Sequence, residues 1–273
     1  MKKYRSLFYP HVKKKLITII IPCKDREDLT RQCFEAIQNK TYDLSCIQVV
    51  AVIDLETVKD QQLLSDIYNS LNKPFPLICI ARPSSAHLNR DYYNLANTVS
   101  SSFFTWVIGN DVIIETQDWD KILLDKTNDI LPSIDNDDDY YYIHINDDTH
   151  VKGRDYISPE ASSAAHLVMG NCFPIISNNY SYKVRGPMPE QCYGWGADVR
   201  LYERIKECGF QEIDLCTDIY VSHISAHTNK GKQDHIFDMM KTRCDLGELE
   251  TSDSPDFTSI LNTKSILDIV RQK

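Results

Sequence analysis

No stretch of this 273-residue chain approaches the roughly 20 consecutive apolar residues that span a bilayer. The apolar run Leu16 to Pro22 is too short for a signal-peptide core and meets Lys24, Asp25 and Arg26 at once. The sequence is therefore read as a cytoplasmic protein with no transmembrane segment. Cys-x-x-Cys pairs are also absent: nine cysteines, an odd number, are scattered at Cys23, Cys33, Cys46, Cys79, Cys172, Cys192, Cys208, Cys216 and Cys244. Most lie in apolar surroundings, as Cys46 does beside Ile47 to Val52, which predicts reduced, buried thiols in a reducing compartment. Basic charge is scarce. With 30 Lys and Arg against 39 Asp and Glu, the net charge of -9 argues against a generic nucleic-acid-binding surface. The local exception is the first fifteen residues, where Lys2, Lys3, Arg5, Lys13, Lys14 and Lys15 stand with no acid. They could touch an anionic acceptor or an anionic membrane, or form a solvated terminus.

What is present is ordinary for a folded domain: 42% hydrophobic and 25% charged residues, which excludes wholesale disorder and a coiled coil. Leu16 to Ile21 is a continuous β-branched run ending at Pro22, the pattern of a strand buried on both faces. Asp25 can cap a helix with Leu29, Cys33 and Ile37 on one stripe. The alternation repeats. Cys46 to Ile53 reads as a strand, and Leu64, Ile67, Tyr68 and Leu71 fall at helical spacing. Leu77 to Ala81 is a third strand, Leu88, Tyr92, Leu95 and Val99 mark a third helix, and Phe103 to Ile108 a fourth strand. This predicts an α/β fold with a mainly parallel sheet, right-handed crossovers and helices on both faces.

In such a sheet, ligands bind beyond the carboxyl ends of the strands. The segments to inspect are Pro22 to Arg26, Asp54 to Glu56, Arg82 to Ser85 and Gly109 to Asp111. The first of these contains no glycine, which removes the Gly-x-Gly-x-x-Gly turn of a dinucleotide-binding oxidoreductase. A nucleotidyltransferase would likewise want a basic, glycine-rich first loop. The second half is less regular, with an aromatic strand, Tyr140 to Ile145, bracketed by acid runs at Asn136 to Asp139 and Asp147 to Asp148. Those runs read as solvated turns and are assigned no role.

Four segments, Ile17 to Arg26, Val49 to Asp54, Trp106 to Val112 and Tyr193 to Arg200, in this order resemble family-two glycosyltransferases of the GT-A (Rossmann-like) fold. Ile17 to Arg26 is similar to the opening strand that ends in Pro-x-x-Asn/Asp-Arg, and Val49 to Asp54 to the next strand with its terminal acid. Trp106-Val107-Ile108-Gly109-Asn110-Asp111-Val112, followed by Trp119, resembles the Asp-x-Asp turn that holds Mn²⁺ or Mg²⁺ against the donor diphosphate. Tyr193-Gly194-Trp195-Gly196-Ala197-Asp198-Val199-Arg200 resembles the Gly-x-Glu-Asp helix start whose acid is the catalytic base. The resemblance covers residues 16 to about 225. It implies a basic segment 1-15, a transferase domain 16-228 and a C-terminal helical tail 229-273. Within the domain, 16-111 would bind the nucleotide-sugar and 112-228 the acceptor.

The chemistry of transfer fits these residue types. A sugar diphosphate leaves with two negative charges, which a hard divalent cation on one or two protein carboxylates can neutralise. Asp111 is expected to hold it, with Asn110 alongside and His223, or His227 four residues on, as a further ligand. The nucleotide pocket is expected from Pro22, Lys24, Asp25, Arg26 and Asp54, with Arg82 and Asn94 as further members. Asp198 is expected to take the acceptor hydroxyl's proton, with Trp195 and Gly196 against the acceptor. A helix cap is the plain alternative for Asp198, and a turn or cap for Asp111. Two positions depart from the family's pattern: Gly109 and Ala197 stand where acids are usual. The implied reaction is inverting transfer from a nucleotide-diphosphate-sugar, a UDP-sugar by preference. The acceptor stays open among a glycan, a lipid-linked sugar, a protein and a modified nucleic-acid base. The competing reading is a non-catalytic carbohydrate- or nucleotide-binding protein on a degenerate fold.

Overall fold

A computed structural model describes residues 14-23, 26-54, 58-82, 102-136, 138-147, 173-179, 202, 206 and 208-224. The first strand, β1 (Lys15–Pro22), is buried along Leu16 to Ile21, so its unbroken apolar run reflects a strand covered on both faces. Helix α1 (Glu27–Lys40) follows and buries Thr30, Cys33, Phe34 and Ile37, a stripe at three- and four-residue spacing. Its N-cap is Arg26, with no side-chain cap, and the expected cap Asp25 lies outside the described residues. Strand β2 (Ile47–Asp54), helix α2 (Val58–Ser70) and strand β3 (Leu77–Arg82) repeat the unit. Leu64 and Ile67 turn α2 toward the core, and α1 and α2 touch. The expected helix through Leu88 and Val99 lies outside the described residues.

Strand β4 (Ser102–Val107) then pairs with β1 on the side away from β2. In the seven-stranded sheet, in the order β3-β2-β1-β4-β8-β6-β9, all pairs are parallel except the two that β8 (Ile175–Ser177) makes. The remaining strands of this sheet are β6 (Tyr141–His144) and β9 (Gln211–Asp214). Register puts Ile17, Ile19, Val49, Phe104, Trp106, Ile175 and Ile143 on one face, packed into the core with Phe34 and Ile37. The other face carries Thr18, Ile20, Val50, Thr105 and Tyr142, also buried. There Tyr202, in helical conformation, packs its ring on Tyr142 and His144. The expected α/β architecture with a mainly parallel sheet is the observed one.

A second, three-stranded sheet has the order β5-β10-β7, from β5 (Val112–Ile114), β10 (Tyr220–His223) and β7 (Asn146–Asp147). The aromatic segment expected as a strand, Tyr140 to Ile145, holds β6 of the large sheet, and just past Ile145 the chain enters β7 of the small one. Helices α3 (Trp119–Thr127) and α4 (Leu131–Asp135) close the core through Trp119, Leu123, Leu131 and Ile134. Gly209, at φ +75°, takes the left-handed conformation that glycine tolerates, and its N donates to Lys206 O at 3.1 Å. Of the six described cysteines, Cys23, Cys33, Cys46 and Cys216 are buried as expected, but Cys79 and Cys208 are exposed. Cys79 sits on β3, which ends the strand order among the described residues. Among the described residues no helix is long and apolar enough to cross a membrane.

Candidate functional site

The chain reverses direction across the sheet between β1 and β4, since β2 and β3 lie to one side of β1 and β4 to the other. At the carboxyl ends of two such strands a crevice opens, the place where open α/β sheets bind ligands. Arg26 follows β1 and Asp111 follows β4, so both stand at this switch point. The backbones are tied there, Ile108 N donating to Ile20 O at 3.0 Å and Cys23 N to Val52 O at 2.8 Å.

Asp111 sits in a tight turn closed by Val112 N donating to Gly109 O at 3.2 Å. Its own carbonyl accepts from Ile224 N at 3.1 Å, and β10 runs antiparallel to β5 with His223 opposite Val112. That pairing carries His223 to Asp111, Nε2 lying 3.3 Å from Oδ1. Arg26 Nη1 donates to the other oxygen, Oδ2. The Asp111 side chain is 8% exposed. A buried carboxylate with a guanidinium on one oxygen and an imidazole at the other is a charged site, not a solvated turn. Burial, with the Asp111 charge adding, pushes the Cys33 thiol well above its usual range, so it stays protonated under the turn.

The neighbouring residues fix this geometry. Asn110 is buried and its Nδ2 donates to Thr30 Oγ1 of α1 at 2.9 Å, an anchor for the turn that the sequence reading did not include. A Cβ at Gly109 would fall 2.3 Å from Asp111 Oδ1. Glycine is therefore required where the family's first acid usually stands, because a side chain there would displace the carboxylate. Arg26 has φ 58° and ψ 58°, a left-handed conformation that costs a non-glycine residue on the order of 1 kcal/mol and is typical of functional loops.

Two ligands about 2.1 Å from one octahedral ion stand about 3.0 Å apart, close to the observed 3.3 Å between Asp111 Oδ1 and His223 Nε2. Among the described residues no group of three or more His, Cys, Asp or Glu forms a fuller set. One carboxylate and one imidazole fit Mn²⁺ or Mg²⁺ that completes its shell with substrate phosphates and water, not an all-protein cage.

Asp54 and Arg82 end β2 and β3 as register partners at the same edge. Pro22 ends β1, partly buried. Lys24, Asp25, Asn94, Trp195, Gly196, Asp198 and His227 lie outside the described residues. One polar cluster escaped the sequence reading. Glu212 Oε2 accepts from Tyr202 OH at 2.7 Å and pairs with His144 Nε2 at 2.8 Å, and Lys206 Nζ lies over the Tyr202 ring. Burial would raise the Glu212 carboxyl, but the hydrogen bonds from Tyr202 and His144 outweigh it and hold the group below its usual range. Its only trace in the sequence is the alternation of Tyr142 and His144, which does not identify Glu212 as the partner.

No protein-family model matches the sequence, and no curated protein matches it. Solved structures do match. A mannosyltransferase of Pyrobaculum calidifontis, PcManGT, in complex with GDP-Man and Mn²⁺, superposes at TM-score 0.55 with 14% identity, over 81% of this chain and 62% of that one. S. aureus TarS (1-349) gives TM-score 0.53 and 14% identity over 76% of this chain and 60% of that one. Its complex with UDP-GlcNAc gives 0.51 and 15% over 77% and 60%. The chain has the GT-A fold. It spans about three-fifths of the length of these GT-A structures.

Proposed function

We propose that this chain is a glycosyltransferase of the family-two type that moves a sugar from a nucleotide-diphosphate-sugar, by preference a UDP-sugar, to an acceptor hydroxyl with inversion. The observation that carries the reading is the buried Asp111 at the switch point of a GT-A sheet, flanked by His223 and Arg26. Solved neighbours of the fold, taken with GDP-Man and Mn²⁺ or with UDP-GlcNAc, support a donor of this chemistry. Asp111 and His223 would hold Mn²⁺ or Mg²⁺, which when bound supplies positive charge to the departing diphosphate.

The remaining roles belong to the chain. Arg26 offers a guanidinium fork suited to phosphate oxygens. Asp25, Asp54, Lys24, Arg82 and Asn94 are assigned to the nucleotide, and Asn110 to holding the turn. Asp198 is assigned the proton of the acceptor hydroxyl, with Trp195 and Gly196 against the acceptor. One attack on the face opposite the leaving group inverts the anomeric centre. The rival reading, a decayed binding protein, rested on Gly109 and Ala197. It loses the first, since Gly109 makes room for the Asp111 carboxylate.

The test is a panel of nucleotide-sugars incubated with and without Mn²⁺, reading release of nucleoside diphosphate. Metal-dependent release from a uridine donor is expected, faster once the right glycan, lipid-linked, protein or nucleic-acid acceptor is added. Binding without release from any donor would favour the non-catalytic reading, and release from purine donors alone would refute the uridine assignment.

A further inference from the structure

We propose that Arg26 is a displaceable stand-in for the divalent cation, so that the site admits metal together with the donor's diphosphate and resists metal alone. The inference rests on the assignment of Asp111 as a metal ligand. Its basis is an asymmetry in how the two partners are held. Asp111 is fixed: its side chain is buried, its carbonyl is bonded to Ile224 N, and its turn is closed by Gly109 and anchored through Asn110 to Thr30. Arg26 is not so confined. Its side chain is 43% exposed at the junction of a loop and α1, and its left-handed backbone is not the one its residue type prefers.

A cation on Asp111 would lie within a few ångströms of the guanidinium now on Oδ2. At that distance two positive groups in a site this buried oppose each other strongly. Arg26 must therefore leave Asp111 when a cation arrives, and leaving is unfavourable unless another anion receives it. A diphosphate supplies that anion: its oxygens match the guanidinium fork in the bidentate geometry that makes arginine a phosphate binder. Arg26 thus exchanges one carboxylate for phosphate oxygens, and the vacated Asp111 Oδ2 becomes available. The same side chain opposes metal in the empty protein and favours it in the loaded one.

The experiment counts free Mn²⁺ by electron paramagnetic resonance in titrations of the full chain, with and without saturating inorganic pyrophosphate. Pyrophosphate is chosen because it presents the diphosphate without depending on the base. Without pyrophosphate, Arg26→Gln is expected to bind Mn²⁺ about tenfold tighter than wild type, as removal of a close like charge implies. With pyrophosphate the order should reverse, wild type binding tighter than the variant. Arg26→Lys keeps the charge but lacks the fork, and should resemble wild type in the first titration and fall short of it in the second. Unchanged or weaker Mn²⁺ binding by Arg26→Gln without pyrophosphate overturns the inference. Asp111→Asn separates this failure from a deeper one. If it abolishes pyrophosphate-dependent binding while Arg26→Gln has no effect alone, the metal assignment stands and the Arg26 role falls. If Asp111→Asn binds as wild type does, both fall.

Discussion

The carboxyl and amino edges of the large sheet each hold a buried aspartate, nine positions apart in the chain, and the two are used in opposite ways. At the carboxyl edge, Asp111 faces two side chains, the Arg26 guanidinium and the His223 imidazole. Beneath the amino edge, Asp120 at the start of α3 accepts from the backbone, Tyr42 N at 2.7 Å and Asp43 N at 3.0 Å in the loop that leads into β2, with the buried Cys46 thiol at 3.5 Å as its side-chain donor. It is fully buried. Burial alone therefore does not mark a functional carboxylate; the identity of its partners does. Backbone donors cannot leave, and a carboxylate they saturate is a clamp. A side-chain partner such as the part-exposed Arg26 guanidinium can move away, as a backbone donor cannot.

The contrast is sharpest in Asp111→Ala. This variant should lose metal-dependent donor affinity by about a hundredfold or more, in keeping with loss of a charge-charge contact in a buried site. Its thermal midpoint should hardly change, and calorimetry showing unaltered Mn²⁺-dependent affinity would remove the distinction between the edges. Asp198→Asn should leave donor affinity intact and lower turnover by about 10²-fold, the range for loss of a general base. A variant turning over at the wild-type rate, or a product retaining the donor's configuration, would return Asp198 to the role of helix cap.

Gly109→Asp is the most discriminating of the smaller effects. Restoring the family's usual acid would add a ligand if the departure were mere decay. A Cβ 2.3 Å from Asp111 Oδ1 instead predicts that donor affinity drops, because the added side chain displaces the carboxylate. Tighter Mn²⁺ binding in titration would contradict the geometry. Asp120→Ala, at the opposite edge, should strand two backbone donors and cost about 2 to 3 kcal/mol of stability in urea unfolding. Donor affinity in the folded fraction should be unchanged.

Glu212→Gln should give the smallest effect, and one that depends on pH. Because the native carboxyl is held below its ordinary 4.5, its charge stabilises the fold above that value, and the contribution is lost as pH falls through the native value. The variant's thermal midpoint should therefore lie below wild type at neutral pH and converge with it in acid. A gap constant with pH would mean that the cluster contributes through shape alone.

The two halves of the chain differ in how far the sequence discloses them. Strands β1 to β4 and the first two helices were readable because a parallel strand buried on both faces is a continuous β-branched run, and α1 shows its buried stripe directly. The candidate residues Arg26, Asn110 and Asp111 followed from strand ends. Beyond them the strands are only two to four residues long; β6 is visible as the aromatic run Tyr140 to Ile145, but its pairing with β9 is not. Periodicity needs several turns or alternations to register, and pairing across seventy residues leaves no local trace. His223 was found by resemblance, whereas its opposition to Val112 and the requirement for Gly109 needed three dimensions.

The antiparallel pairing of β5 with β10 also has a bearing on biosynthesis. His223 and Val112 are more than a hundred residues apart, so a chain still being made can complete β1 to β4 and the turn at Asp111 long before His223 has emerged. Closing a loop of that length costs more entropy than the local βαβ units do, which places this pairing late in folding. A ligand that touches both strands would act as a clasp on that late step: it binds only the finished chain and shifts the balance toward it by mass action. Nascent or truncated chains ending before β10 would lack the His223 imidazole that stands beside Asp111 in the finished chain.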